Sequence, residues 1–420
     1  MNNYKAPRGT HDIFGQDAIN LWLLEQKVRN IFMKYGFYEM KTPMFEDASL
    51  FSRSIGDFTD VVEKEMYIFK DKKNRILALR PEGTASLARA FIEHKFDSSK
   101  SSCKFFYIGE MFRYERPQSG RYREFNQIGA EYYGNESPSA DVELIMLAKN
   151  LMYSVGINDI VIHINSLGCE NCRGAFSKVL LKYFNFIMKN KNVSLCENCM
   201  SRLGKNPFRL LDCKIDSCKF SNIPIILNSL CNVCNDHFNS VISLLDKIKC
   251  NYVIDNKLVR GLDYYTKTIF EIYINSDVSN NYAIAAGGRY DNLIKDIGGR
   301  KTPAVGFAFG VERLLLYIEN NSFIDFVHPK KIFIAVSDQK LFYEAFKFAL
   351  KIRNNGFIGN KNISVFGPIE NKKLTDQLKF ADKIGVLETI IFAVNEFKDK
   401  KILVKNMKEK KQKTILIDNV

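Results

Sequence analysis

The sequence predicts an α+β fold of more than one domain, and three observations predict it. Two strand-like pieces flank a basic loop between residues 105 and 131. A segment from 166 to about 252 gathers nine of the ten cysteines and changes the character of the chain. Beyond 329, short apolar runs alternate with helical periodicity, which predicts a small α/β domain on a mixed sheet. The chain has 420 residues and 46% hydrophobic content, enough for two or three domains with substantial cores.

In chain order, residues 6–15 (APRGTHDIFG) are loop-like, since Pro, Gly, Thr and Asp supply turn chemistry. Leu24, Val28, Ile31, Phe32 and Tyr35 then fall at helical spacing, and Gly36 is a stop. Residues 37–43 (FYEMKTP) read as a strand ending at proline. At 77–85 (LALRPEGTA) a short strand runs into a turn fixed by Pro81 and Gly83, so Glu82 and Thr84 project from a shaped loop. A carboxylate and a hydroxyl together suit an ammonium group. A helix-capping turn before 85–92 would use the same residues.

The hairpin follows. Phe105, Phe106, Tyr107 and Ile108 suit a buried strand, and Arg113, Glu115, Arg116, Arg121 and Arg123 then fall within eleven residues. A Pro-Gln-Ser-Gly turn at 117–120 interrupts them, and the return strand ends in Gln127 and Glu131. Guanidiniums over one face of a sheet suggest a bidentate grip on phosphate, which lysine cannot reproduce. A solvated basic hairpin is the plain alternative.

A helix over 144–155 and a strand over 159–165 precede the cysteine-rich segment. Its pairs are Cys169-x-x-Cys172, Cys196-x-x-Cys199, Cys213-x4-Cys218 and Cys231-x-x-Cys234. A chain without a secretory signal argues against a disulfide framework. Close pairs match the way zinc knuckles place thiolates about 2.3 Å from one ion. Eight thiolates could complete two four-thiolate sites, or one site plus spares; reduced, buried cysteines without metal are the alternative.

After it, 258–266 (LVRGLDYYT) carries Arg260, Tyr264 and Tyr265, and 269–274 reads as a strand. In 283–293 (AIAAGGRYDNL), Gly287 and Gly288 would let backbone approach a ligand closely. In 302–316 (TPAVGFAFGVERLLL), Arg313 beside apolar residues calls for a ligand or a carboxylate. A boundary falls at 319–331. Strands at 332–336, 363–366, 389–394, 401–404 and 414–417 then accompany helices over 341–353 and 373–384, the first with Phe342, Ala345, Phe346, Ala349 and Leu350 on one side.

Net charge is +14, and residues 329–420 hold 19 Lys and Arg against 10 Asp and Glu, so +9 lies there. That concentration is what an RNA-contacting module needs, although AT-rich coding would inflate lysine without functional cause. No apolar run reaches the roughly eighteen residues of a membrane span, and the N-terminus has no apolar signal region, so a cytoplasmic protein is the expectation.

Taken whole, 105–131 resembles motif 2 of class II aminoacyl-tRNA synthetases, with Arg113-x-Glu115, a variable loop and Phe125. Its GRYREF ending, LVRGLDYYT and AAGGRYD resemble histidyl-tRNA synthetases in particular. The helix and strand ending at Pro43 resemble motif 1, and 302–316 resembles motif 3. The resemblance covers nearly the whole chain. It implies a class II core at 1–325, an antiparallel six-stranded sheet flanked by helices, with an insertion domain at about 166–252. It further implies an anticodon-binding α/β domain at 329–420 and a homodimer.

The activity so implied is a histidine–tRNA ligase, which joins L-histidine and ATP into histidyl-adenylate and then charges tRNA(His). Arg113 and Arg260 would be catalytic, on the α-phosphate and the carboxylate, with Arg260 where relatives use a metal. Glu115, Phe125 and Arg313 would hold ATP, and Mg2+ would accompany its outer phosphates. Glu131, Tyr265 and Tyr264 would face the imidazole; Glu82, Gly83, Thr84, Gln127 and Tyr290 would hold the amino end. Arg116 and Gln118 match positions that read the 5′ end of the tRNA. The competing expectation is a catalytically inactive paralogue, a regulatory subunit of histidine biosynthesis. Such paralogues typically lack the anticodon-binding domain and lose motif arginines, whereas Arg113, Arg260 and Arg313 are present here.

Overall fold

In the computed structural model, which describes residues 4–56, 59, 61–98, 102–190, 193–213, 215–275, 283–321 and 329–419, the first amphipathic stretch is the helix Gly15–Lys34. It buries Leu24, Val28 and Phe32, a single stripe at spacing four. Gly36 follows at φ +77°, a left-handed stop that suits glycine. The chain forms two units, Met1–Asp325 and Phe326–Val420.

Strands of the first unit, in chain order, are β1 (Tyr38–Glu39), β2 (Phe45–Asp47), β3 (Ile68–Lys70), β4 (Ile76–Leu79), β5 (Cys103–Phe112), β6 (Glu124–Tyr133), β7 (Ile160–Ser166), β8 (Val253–Ile254), β9 (Thr266–Ile274), β10 (Ala285–Arg289) and β11 (Ala304–Gly310). The large sheet runs β1-β5-β6-β11-β10-β9-β7-β8, and β2-β4-β3 make a small one. Six inner strands, from β5 across to β7, pair antiparallel throughout. That is the antiparallel six-stranded core; β1 and β8 each add two residues in parallel at its edges.

The strand expected over 37–43 is thus shorter than its sequence pattern. Met40 still donates to the carbonyl of Phe106, at 2.8 Å. Beyond it the carbonyl of Thr42 is taken by the Arg80 guanidinium at 3.0 Å, not by a strand.

Period-two alternation gives the large sheet two characters. On one face Phe106 stacks on Phe32 of the first helix, ring centroids 4.6 Å apart. On the other, Tyr107 lies over Gly83 and Gly129, where a Cβ would collide with its ring. Gly287 and Gly288 lie on β10 between β9 and β11. They allow close packing of adjacent strands: a Cβ on Gly288 would stand 2.6 Å from the carbonyl oxygen of Thr268. Next to them Arg289 is fully buried and ion-paired to Asp141 of the helix Pro138–Ser154, with a further bond to the Asn135 carbonyl at 2.9 Å.

Between β7 and β8 lie the helices Glu170–Asn190, Glu197–Leu203 and Asn232–Lys247. Phe176, Leu180 and Phe184 of the first pack with Phe208, Leu210 and Phe220.

The second unit holds β12 (Lys330–Val336), β13 (Ile363–Phe366), β14 (Glu388–Phe392), β15 (Lys401–Asn406) and β16 (Gln412–Leu416), in the order β13-β12-β14-β15-β16. The first three are parallel and the last two antiparallel, a mixed sheet. Ile332, Ile334 and Val336 pack toward the helix Phe342–Asn355, and Phe333 and Ala335 toward the helix Leu374–Lys383. The buried stripe of the former is Ala345, Phe348, Ala349 and Ile352. The expected stripe is therefore turned: Phe346 and Leu350 are exposed, and Phe346 stacks on Phe342 outside the core.

Candidate active site

One strand supplies the floor of the site. Phe125, Gln127, Gly129 and Glu131 alternate along β6 and so share one face. Glu131 is buried to 1% exposure. Its Oε1 accepts from the Thr84 hydroxyl at 2.7 Å and its Oε2 from the Tyr290 hydroxyl. Burial pushes its carboxyl up to about 8, against the pull of those two donors, with the Glu82 charge adding to the rise. Gly306 faces it across β11, and any Cβ there would fall on the carboxylate oxygen.

Glu82 both caps a helix and lines the site. Its carboxylate accepts from the N–H of Thr84 at 2.8 Å and of Ala85 at 2.7 Å, at the start of the helix Thr84–Glu93. The capping and ligand readings of this turn describe the same atoms. Burial raises the Glu82 carboxyl, and those amides and the Arg113 charge oppose the rise. Gln127 ties the turn to the sheet: its Oε1 accepts from the N–H of Gly83 at 3.2 Å and from the Tyr107 hydroxyl at 3.0 Å. Tyr264 lies between Tyr265 and Tyr290, ring centroids 4.6 and 5.5 Å away, and all three are buried.

Three guanidiniums line the same site. Arg113 donates through Nε to the Pro81 carbonyl at 2.8 Å and sits 5.4 Å from the centre of the Phe125 ring. Glu115 is held by Arg121 at 2.8 Å. Arg260 is ion-paired to Glu271, which also accepts from the Tyr273 hydroxyl; its Nε is buried without a hydrogen-bond partner. Burial works against the Arg260 charge, but its pairing with Glu271 more than offsets that and holds the guanidinium above its ordinary value. Arg313 bonds through Nε to the Gly120 carbonyl at 3.3 Å and through Nη1 to that of Ala283 at 3.4 Å.

These groups surround one cleft of ≈ 390 Å³, lined by Glu82, Thr84, Arg113, Glu115, Phe125, Gln127, Glu131, Arg260, Tyr264, Tyr265, Tyr290 and Arg313. Arg116 and Gln118 are exposed and lie outside the lining, with Gln118 at the start of the turn closed by its bridge to Arg121. Glu271, Tyr273, Asp212 and Glu312 also line it. Glu312 accepts from the Asn126 backbone at 2.6 Å and side chain at 3.0 Å, fixing the start of β6. The signal for Glu271 was one acid in an otherwise apolar strand, IFEIYI.

Over residues 9–170 and 227–314 the chain matches the family model described as histidyl-tRNA synthetase. The chain belongs to the histidyl-tRNA synthetase family. It is 59% identical over 416 residues to the histidine–tRNA ligase of Endomicrobium trichonymphae, covering 99% of both chains. It is 39% identical over 420 residues to that of Aquifex aeolicus, covering 100% of both. The crystal structure of apo S. aureus histidyl-tRNA synthetase superposes with a TM-score of 0.81 at 32% identity, covering 99% of this chain and 98% of that one. A Bacillus halodurans protein described as an ATP phosphoribosyltransferase regulatory subunit/histidyl-tRNA synthetase shares the fold, at 19% identity and a TM-score of 0.67 over 93% of this chain and 98% of that one.

The cysteine pairs meet in two groups that could hold metal ions. Cys169, Cys172, Cys231 and Cys234 form one; Cys196, Cys199 and Cys213 form the other with Asp216. Cys218, paired with Cys213 by spacing, is not in the second group. It is exposed, with its thiol 3.4 Å from the carbonyl of Ile215, and the turn after Cys213 brings Asp216 inward instead.

Proposed function

We infer that this chain is a histidine–tRNA ligase, an aminoacyl-tRNA ligase that binds L-histidine, ATP and tRNA(His). The observation that carries the reading is the cleft whose lining brings together Arg113, Arg260 and Arg313 with Glu131, which has two hydroxyl donors. In the first step a histidine carboxylate oxygen attacks the α-phosphorus; that bond forms, the bond to pyrophosphate breaks, and histidyl-adenylate results. In the second a terminal tRNA hydroxyl attacks the acyl carbon and AMP leaves. No protein nucleophile is needed, so the protein's task is alignment and neutralisation of charge.

For that task we assign Arg113 and Arg260 to the α-phosphate and the histidine carboxylate. The unpartnered Nε of Arg260 supports its share, because a buried donor without an acceptor is costly until a ligand supplies one. Glu115, Phe125 and Arg313 hold the nucleotide, and Mg2+ accompanies its outer phosphates. Glu131, Tyr264 and Tyr265 take the imidazole, while Glu82, Gly83, Thr84, Gln127 and Tyr290 take the amino end. A site of buried polar partners rejects side chains that lack matching nitrogens by large factors. Arg116 and Gln118, exposed on the motif 2 turn, suit contact with tRNA. Residues 329–420 are the anticodon-binding domain in this reading, and 166–252 the insertion domain. The working form is a cytoplasmic homodimer, and zinc is among the ions that thiolate-rich groups select.

Pyrophosphate exchange into ATP, run across all twenty amino acids, tests the reading. Exchange with histidine alone is expected. Absence of exchange in folded protein would favour the inactive regulatory paralogue.

A further inference from the structure

None of the eight residues in the two cysteine groups lines the cleft. The adenylation chemistry uses no thiol. Each group is nonetheless a closed set, with ligand atoms all within 4.8 Å of one another. The sulfurs of Cys169 and Cys172 are 3.6 Å apart, and those of Cys196 and Cys213 are 3.8 Å apart. A disulfide would need about 2.05 Å. Two thiolates bound to one tetrahedral zinc ion, each about 2.3 Å from it, stand about 3.8 Å apart.

Main-chain amides already point at the sulfurs, as outer partners of metal ligands do. The N–H of Cys231 reaches the sulfur of Cys172 at 3.1 Å, and that of Asp216 reaches Cys213 at 3.4 Å. Asp216 is fully buried, with Oδ2 accepting from the Cys196 N–H at 2.8 Å and Oδ1 from Lys219 Nζ at 2.7 Å. A buried carboxylate beside three sulfurs is the hard fourth corner of a closed site.

Both groups bracket residues that grip the loop carrying Arg260. Arg173, next to Cys172, donates from Nη1 to the carbonyls of Asp263 and Tyr265 at 2.9 and 3.2 Å. Between Cys199 and Cys213, Asn206 donates to Asp263 Oδ1 at 2.9 Å and Arg209 to the Arg260 carbonyl at 3.3 Å. We propose that the insertion holds two zinc ions, one on four sulfurs and one on three sulfurs and Asp216, and that they position the Arg260–Tyr265 loop for adenylation. The positioning half rests on the ligase reading; the two sites stand without it.

Elemental analysis of protein purified without chelator should find two zinc ions per chain. Cobalt(II) exchange should give the intense visible bands of tetrahedral sites, with sulfur-to-cobalt charge transfer. Cys231→Ser and Cys199→Ser should each remove one ion, while Cys218→Ser keeps both. Stripping zinc, or Cys231→Ser, should lower kcat for histidine-dependent exchange about tenfold or more. The KM for ATP should move under about threefold, and zinc should restore the stripped wild type. Wild-type protein without zinc overturns the sites and needs no variant to show it. Loss of an ion in Cys218→Ser overturns the role of Asp216. Stripped protein that keeps its circular dichroism and full exchange overturns the positioning. Two ions in a wild type that lacks exchange would uphold the sites and overturn the ligase reading.

Discussion

Arg260→Ala separates transition-state stabilisation from ground-state binding. In the folded protein its guanidinium balances Glu271, whose side chain is 13% exposed and has the Tyr273 hydroxyl as its other partner. Removing one member of a buried pair typically costs about 3–5 kcal/mol, mostly from the charge left behind. The alanine variant alone therefore mixes stability with catalysis, and Glu271→Gln and the double variant are needed beside it. If Arg260 meets charge that builds on the α-phosphate, its loss should cost about 10²–10³ in kcat, or about 2.7–4 kcal/mol. That loss should be the same with Glu or Gln at 271. Glu271→Gln alone should cost about tenfold or less, since the guanidinium remains. Histidine affinity, measured by calorimetry without ATP, should fall less than tenfold in each variant. Two results would refute the reasoning: recovery of kcat in the double variant, or equal losses in histidine affinity and kcat.

Further outcomes follow from the same geometry. Glu131 titrates at about 8 in the fold against an ordinary 4.5, so the folded state binds the extra proton between those values and loses stability as pH rises through about 8; thermal melts from pH 5 to 9 should show that fall, and Glu131→Gln should flatten it while weakening histidine binding by about tenfold or more. Asp141→Asn should destabilise by about 3–5 kcal/mol in denaturant titrations, because Arg289 is fully buried against it. Burial opposes ionisation of Asp141, but His237 and Arg289 hold its carboxyl below the ordinary value, so wild-type protein should lose this contribution as pH falls through that lowered range. Gly306→Ala should push the Glu131 carboxylate aside, costing about 1–3 kcal/mol and at least as much histidine affinity, read by melts and calorimetry together.

Much of the site was legible because its residues lie close in sequence. Gln127 and Glu131 share a strand face by period two, and Arg113 precedes them by one hairpin. Glu82 and Thr84 flank a glycine in one turn. What stayed hidden were partners from distant segments. Nothing local joins Arg260 to Glu271 rather than to a substrate, nor Tyr290 to Glu131 across 159 positions. Spacing favoured Cys218 as a ligand, but the direction of the turn after Cys213 put Asp216 inward. In the helix Phe342–Asn355 two apolar stripes overlap, and only the sheet beneath chooses between Phe346 and Phe348. The inner six strands were expected from family resemblance; the two-residue edge strands are too short for any periodicity to mark.

Because the binding floor alternates with core residues on β6, a slip of one position would turn Ile128 and Ala130 toward the amino-acid side of the cleft and send Gln127 and Glu131 into the packed interior. Correct threading and competence are then a single event. Counting active sites by titration in a refolded sample would count correctly threaded molecules, with no population that is ordered elsewhere yet half capable.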